Sequence, residues 1–164
     1  MTSAPATLHL LCGKIAAGKS TLAASLTKDE KAVLIVEDAW LAGLYPDEIL
    51  SIADYVRSAA RLRAVVGPHV AALLRAGPSV VLDFPANTAA NRAWMREIID
   101  QSGADHVLHW LDTPDAICRD RLRARNAAGD HAFAASDAEF ETISRYFEAP
   151  RDSEGFHIKR YTTD

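Results

Sequence analysis

The sequence predicts an α/β fold in which a parallel sheet of about five strands is covered by helices on both faces. Three observations predict it. Short apolar runs and amphipathic stretches alternate strictly from Leu8 to Leu111, the order expected of right-handed βαβ crossovers. The apolar runs are continuous rather than alternating, as strands buried on both faces must be. Glycine and proline punctuate the helical stretches, most clearly at Gly77-Pro78 and Gly103. At 164 residues the chain is expected to form a single domain, 1–164, with no room for a second large core.

Leu8-His9-Leu10-Leu11-Cys12 is the first apolar strand. It runs into Gly13-Lys14-Ile15-Ala16-Ala17-Gly18-Lys19-Ser20, which fits G-x-x-x-x-G-K-[ST], and then into a helix start at Thr21-Leu22-Ala23. A strand before and a helix after is the context this motif requires. Its backbone N–H groups would form an anion cradle at a helix N-terminus, where the macrodipole also favours negative charge. Residues Gly13, Lys14, Ile15, Ala16, Ala17, Gly18, Lys19, Ser20 and Thr21 are therefore expected to bind the phosphates of ATP. Lys19 would reach the β- and γ-phosphate oxygens, and the Ser20 hydroxyl would take one position around Mg²⁺.

Ala32-Val33-Leu34-Ile35-Val36 is the second strand and ends in Glu37-Asp38. From Ala39 to Pro46 the pattern breaks, and a helix is expected from Asp47 with Ile49, Ile52 and Val56 on one side. A second stripe, Leu62, Val66, Val70, Leu73 and Leu74, is interrupted by Gly67-Pro68, which predicts a kink or break. Ser79-Val80-Val81-Leu82-Asp83 is the third strand. Asn87 or Thr88 is placed to cap the next helix, which turns Trp94, Ile98 and Ile99 inward. Asp105 to Leu111 is the fourth strand, and Asp112-Thr113-Pro114 opens a helix dense in arginine. Ser136-Asp137-Ala138-Glu139 fits a capping box for a helix with Phe140, Ile143 and Phe147 on one face, ended by Pro150. Gly155 to Tyr161 alternates at period two and predicts a fifth, edge strand.

Composition narrows the function classes. A net charge of −4 provides no basic surface for unspecific nucleic-acid binding, and no apolar run approaches membrane-spanning length. Cys12 and Cys118 show no C-x-x-C spacing, so zinc and disulfides are not expected, and the N-terminus Met1-Thr2-Ser3-Ala4-Pro5 has no signal-peptide pattern. The expected compartment is the cytoplasm.

Ligands of open parallel sheets sit outside the carboxyl ends of the strands, so the acids just past those ends are the candidates for chemistry. Asp83 is placed to hold Mg²⁺ opposite Ser20. Asp112 reads as a helix cap. Asp38 lacks a capping pattern, and phosphoryl transfer to an alcohol needs a carboxylate there to orient the hydroxyl and take its proton; the alternative is a solvated loop acid. Arg119, Arg121, Arg123 and Arg125 fall within seven residues and cannot all face one side. Arg121 and Arg125 share a face and are the candidates for neutralising charge on the transferred phosphoryl group, with a lid around 119–135 that excludes water. Arg57, Arg61 and Arg92 are weaker candidates for gripping the acceptor.

With these residues in view, the chain resembles the P-loop kinases of the zeta-toxin, chloramphenicol phosphotransferase and polynucleotide 5′-kinase type, also labelled AAA-like kinases. The resemblance covers nearly the whole chain and rests on Gly13 to Ser20, Asp38, Val80 to Asp83 with Asn91-Arg92, and Arg121 to Asn126. It implies a P-loop NTPase three-layer sandwich with strand order 2-3-1-4-5, as in adenylate kinase. The stretch Arg125 to His131, with Phe133, Ser136, Phe140 and Glu148-Ala149-Pro150, is also similar in spacing to the bacterial gluconate kinases. The expected function is transfer of the ATP γ-phosphate to a hydroxyl of a small-molecule or nucleotide-like acceptor, whether in metabolism, as a toxin or as a resistance enzyme. The alternative is an ATP-hydrolysing switch without such an acceptor. No N-K-x-D motif follows the fourth strand and no L-S-G-G-Q occurs, which disfavours a GTPase and a transporter ATPase.

Overall fold

Each apolar run becomes a strand of one sheet in the computed structural model, which describes residues 4–129 and 135–163. The strands are β1 (Thr7–Cys12), β2 (Val33–Val36), β3 (Val80–Pro85), β4 (Asp105–Asp112) and β5 (Ile158–Thr162). They pair in the order β2-β3-β1-β4-β5, every pair parallel, so the expected order 2-3-1-4-5 is the one found. β1, with Leu8, Leu10, Leu11 and Cys12 fully buried, lies at the centre and delivers the glycine-rich loop to the middle of the sheet's carboxyl edge.

The helices are α1 (Lys19–Glu30), α2 (Glu37–Leu44), α3 (Ile52–Ala76), α4 (Ala89–Ser102), α5 (Asp115–Ala128) and α6 (Asp137–Ser144). The main core joins Leu8, Leu10, Ile35 and Leu82 of the sheet to Leu62, Val66, Val70, Met95 and Ile98 of α3 and α4. Each such side chain contributes about 1.5–3 kcal/mol by leaving water. A second cluster packs Leu11 and Val81 against Ala23 of α1, and a third packs Ala17 against Cys118, Leu122 and Phe140. Among the described residues no helix is long and apolar enough to cross a membrane.

Five local expectations are corrected. The stretch from Ala39 to Pro46 is mostly helix, because α2 follows β2 without a linking turn and Glu37 and Leu41, one turn apart, are its buried residues. α3 starts at Ile52, where Ser51 Oγ accepts from the Asp54 N–H at 3.1 Å, and its buried stripe is Ala59, Leu62, Val66 and Val70. Ile52 and Val56, read as one apolar side, are exposed, as is Ile143 on α6. Gly67-Pro68 neither ends nor splits α3: Pro68 sits on the exposed side, and a Cβ on Gly67 would lie 3.0 Å from Trp94 Nε1. The glycine serves close packing of α3 on α4. Asp112 caps nothing, since Pro114 takes the N-cap position of α5 and the Asp112 carboxylate pairs with Arg160 on β5. The lid expected around 119–135 begins as the greater part of α5, and its residues 130–134, including His131 and Phe133, lie outside the described residues, as do Met1, Thr2 and Ser3.

A buried polar chain crosses the sheet. His9 Nε2 lies 2.9 Å from Glu30 Oε2, His9 Nδ1 lies 2.9 Å from His109 Nε2, and His109 Nδ1 lies 2.8 Å from Tyr161 Oη. With both imidazoles neutral, each contact has one donor and one acceptor: Tyr161 donates to His109, His109 to His9, and His9 to the Glu30 carboxylate. Burial, then the fields of His9 and Lys159, push the His109 pKa down from 6.5 to about 4, with Glu30 opposing.

Because the unfolded chain protonates this histidine at higher pH than the folded chain does, its contribution to stability is complete above pH 6.5 and is lost as pH falls toward 4. Denaturant unfolding between pH 7 and pH 4 should show a loss of up to ~3 kcal/mol from this group. The slope should be shallower in His109→Gln. Equal slopes in both proteins would assign the acid sensitivity elsewhere.

Candidate active site

The loop between β1 and α1 takes its shape from two glycines used for different reasons. Gly18 has φ of 110°, a left-handed conformation that a side chain would strain, and it is the N-cap of α1. Gly13 is needed for space, since a Cβ there would lie 3.1 Å from both Ala17 Cβ and the Leu111 carbonyl oxygen. No side chain caps α1, so the first N–H groups of that helix remain available to an anion. Ser20 and Thr21 are exposed in its first turn, while Lys14, Ile15 and Ala16 are half-buried. Ile15 and Ala16 pack on the Cys118–Leu122–Phe140 cluster, which holds the loop tip against α5 and α6.

Two anchors fix this loop, and neither is visible in the motif. Asn87 holds Gly13 in a two-bond clamp, its Oδ1 accepting from the Gly13 N–H and its Nδ2 donating to the Gly13 carbonyl, both at 2.9 Å. Sequence reasoning offered Asn87 and Thr88 as alternative caps of α4. Thr88 is the cap, accepting from the Asn91 N–H at 3.1 Å, which leaves Asn87 free for the loop. The second anchor is α5. Lys14 Nζ pairs with Asp115 at 2.8 Å, and the Ala17 carbonyl accepts from Thr113 Oγ1 at 3.2 Å and Arg121 Nη1 at 3.3 Å.

Lys19 curls back to donate to the carbonyls of Gly13 and, at 2.9 Å, Lys14. Burial pulls its pKa below the usual lysine value, the fields of Cys12, Asp83 and Asp38 opposing. Asp83, half-buried near the end of β3, shows the converse: burial raises its pKa and Lys19 lowers it. Lys19 and the strand-end acids Asp83 and Asp38 thus act on one another electrostatically. Asp38 is exposed in the first turn of α2, where the helix end favours a carboxylate.

The arginines separate by environment. Arg119 pairs with Glu141 at 3.2 Å and Arg123 with Asp137 at 2.6 Å, so both belong to the ion-paired surface. Arg121 turns to the loop, and Arg125, one turn on, keeps a buried Nε without a partner. On the acceptor side, Arg57 pairs with Asp54 at 2.8 Å and Arg61 is exposed. Arg92 lies inside the fold instead: it is 1% exposed, pairs with Glu154 at 2.8 Å, and donates to the carbonyls of Ala86, Glu148 and Ala149. With its donors taken up there, it braces the chain and is not positioned to grip an acceptor.

A network beside Asp38 was not anticipated. The Glu37 carboxylate is 1% exposed and accepts from the Tyr55 hydroxyl and, at 3.1 Å, from Arg63 Nη2. Arg63 Nη1 donates to Asn91 Oδ1 at 3.0 Å, and its guanidinium lies 5.6 Å from the Trp94 ring centroid. The only sequence signal was the paired acids Glu37-Asp38 at a strand end.

Asn87→Ala removes both side-chain bonds to Gly13 while leaving the Thr88 cap. ATP affinity should fall by about tenfold, and because both bonds are present without nucleotide the unfolding midpoint should also fall, by a few degrees. Calorimetric titration with ATP checks this, and unaltered affinity would show that the loop keeps its shape without the clamp.

The description "AAA domain" belongs to the family whose model matches residues 8–150, from β1 to the proline that follows α6. None of the curated protein sequences matches this chain. Among solved structures, one from Chloroflexus aurantiacus, provisionally designated a kinase, aligns with a TM-score of 0.75 at 20% identity over 96% of this chain and 85% of that one. The APS kinase of Mycobacterium tuberculosis in complex with AMPPNP and APS aligns with a TM-score of 0.66 at 23% identity, over 99% and 91% of the two chains. A gluconokinase from Sinorhizobium meliloti aligns with a TM-score of 0.61 at 16% identity, over 95% and 82%. At these identities the likeness is one of fold. Matched over most of its length and built on a P-loop kinase-like sheet, the chain belongs to the AAA domain family.

Proposed function

We propose that this protein is an ATP- and Mg²⁺-dependent phosphotransferase that moves the γ-phosphate of ATP to a hydroxyl of a small-molecule or nucleotide-like acceptor. The observation that carries the reading is the grouping of an uncapped loop, a half-buried lysine and two strand-end carboxylates whose fields reach that lysine. An anion cradle alone binds a nucleotide; a carboxylate beside it, outside the metal position, supports transfer to an alcohol. The fold neighbours support the class, since the mycobacterial structure is an APS kinase and another neighbour is a gluconokinase.

In this reading the N–H groups of the loop and of the first turn of α1 hold the phosphates, and Lys19 leaves its two carbonyl partners for the β- and γ-phosphate oxygens. Ser20 and Asp83 would hold Mg²⁺ together with nucleotide oxygens and water, the mixed oxygen set this ion prefers. The bound ion would supply positive charge to the transferred group. Asp38 accepts the proton of the acceptor hydroxyl as its oxygen bonds to the γ-phosphorus, and the bond to the bridging oxygen breaks to release ADP. Arg121, already bonded to the loop carbonyl at Ala17, and Arg125 would neutralise the charge that develops on the equatorial oxygens. Arg57 and Arg61 remain candidate contacts for the acceptor. The buried thiols of Cys12 and Cys118 suit a reducing, cytoplasmic setting.

Asp38→Asn preserves shape and removes the base. ATP binding should persist while acceptor-dependent ADP release falls by roughly 10²- to 10⁴-fold. A screen of sugar acids, nucleosides and antibiotics as acceptors, with ATP binding followed by calorimetry, makes the measurement. ADP release that never responds to an acceptor but changes with a partner protein would favour the switch. Lost ATP binding in Asp38→Asn would move Asp38 into the metal site.

Arg121→Ala and Arg125→Ala should lower the rate more than ATP affinity, because their contacts strengthen only in the transition state. Steady-state kinetics with neither rate nor affinity altered in either variant would return both to the solvated surface.

A further inference from the structure

We propose that Glu37 is a positioning residue: its buried carboxylate, held by Tyr55 and Arg63, fixes the first turn of α2 and thereby the placement of Asp38. The inference rests on the reading of Asp38 as the base.

α2 has eight residues, too few to be stable alone, and its N-cap, Val36, provides no side-chain bond. Its buried residues are Glu37 and Leu41, while Trp40 and Leu44 on the same helix are exposed. Leu41 holds the middle of the helix by apolar contact. The pairing of Val36 with Asp83 places the end of β2, and Glu37 ties the first turn of α2 to the next helix, through one bond from the Tyr55 hydroxyl and one from Arg63, both on α3. Arg63 extends the link to Asn91 in the first turn of α4. That turn follows directly on Asn87, whose side chain clamps Gly13. The turn that carries Asp38 and the loop that would carry the phosphates are thus referenced to the same end of α4.

At 1% exposure Glu37 cannot touch a substrate. A residue needed only for packing would be apolar, since burying a carboxylate opposes folding unless both oxygens are satisfied. Both are satisfied here, by donors from α3. Burial pushes the Glu37 pKa up, and the Tyr55 bond and Arg63 oppose it.

The test compares wild type, Glu37→Gln, Asp38→Asn and the double variant, with Mg·ATP as the only substrate and water as acceptor. Glutamine keeps the volume but removes the charge that both partners face: its amide nitrogen can pair with the Tyr55 hydroxyl only by reversing that bond, and Arg63 is left with a neutral acceptor. Loss of a hydrogen bond to a charged group predicts about tenfold or more acceleration of amide exchange in α2, with β1 and β3 unaltered, and a similar fall in ADP release. ATP affinity should stay within about twofold, and the double variant should be no slower than Asp38→Asn alone, as for residues that act through one another. Unaltered exchange in α2, or losses that multiply in the double variant, would overturn the proposal. A wild-type rate in Asp38→Asn would show that attack by water does not use Asp38, leaving the base assignment to the acceptor-dependent assay, and the exchange measurement would still decide whether Glu37 holds the turn. Should Glu37→Gln not fold, Tyr55→Phe removes one of the two bonds and serves in the same comparisons.

Discussion

The clamp of Asn87 on Gly13 is the interaction on which the rest of the site depends. Gly13 is the last point at which the central strand can set the direction of the loop, and its surroundings leave no room for a side chain. Without the clamp the Gly13 N–H would be orphaned at a strand end, where the sheet offers no further partner, and the carbonyl would be left to the Lys19 ammonium alone. One amide side chain satisfies both. Asn87 is itself held, since its carbonyl accepts from the Glu148 N–H at 2.9 Å. Arg92 secures the same neighbourhood through the carbonyls of Ala86, Glu148 and Ala149 and its pair with Glu154. The segment that follows α6 therefore stabilises the loop that follows β1, though it touches none of the loop's motif residues in these bonds.

Charge is distributed in two ways. Away from the loop, buried cations and anions are matched: Arg92 with Glu154 and Arg63 with Glu37. Such pairs offset desolvation more than they add stability, but removing one member leaves an uncompensated charge worth about 3–5 kcal/mol. At the carboxyl edge of the sheet the matching stops. Lys19 has backbone carbonyls as its partners, Asp83 is half-buried, and burial shifts each toward its neutral form. A phosphate and a divalent cation are the groups that would restore both charges, which is why this region, and not the better-paired clusters, reads as the chemical centre.

The arginine-rich helix follows the same division. Arg119 and Arg123 face acids of α6 and tie the two helices together. Arg121 faces the loop, and Arg125 follows it by one turn. One helix thus joins the surface to the site, and the i, i+4 spacing alone separates the two roles.

The sequence by itself determined what depends on neighbours along the chain: the glycine-rich loop between strand and helix, the alternation that makes the sheet parallel, the capping box at Ser136, and the division of the arginines by face. The strand order came from family resemblance, since spacing does not order a parallel sheet. Tertiary structure decided everything settled by partners distant in sequence. Asn87 and Thr88 are equally good caps locally, and only the proximity of Gly13, 74 residues away, gives each its role. Arg92 looks like a surface arginine until Glu154, 62 residues on, encloses it. The stripe Leu62, Val66, Val70 and Leu74 of α3 is buried as expected, whereas Ile52 and Val56 at its start are exposed, because helical period fixes which residues share a face while the packing partner fixes which part of the helix is covered. Glu37 shows the limit most clearly: a buried carboxylate is excluded by its own chemistry, and only Tyr55 and Arg63, brought to it by the fold, make its burial possible.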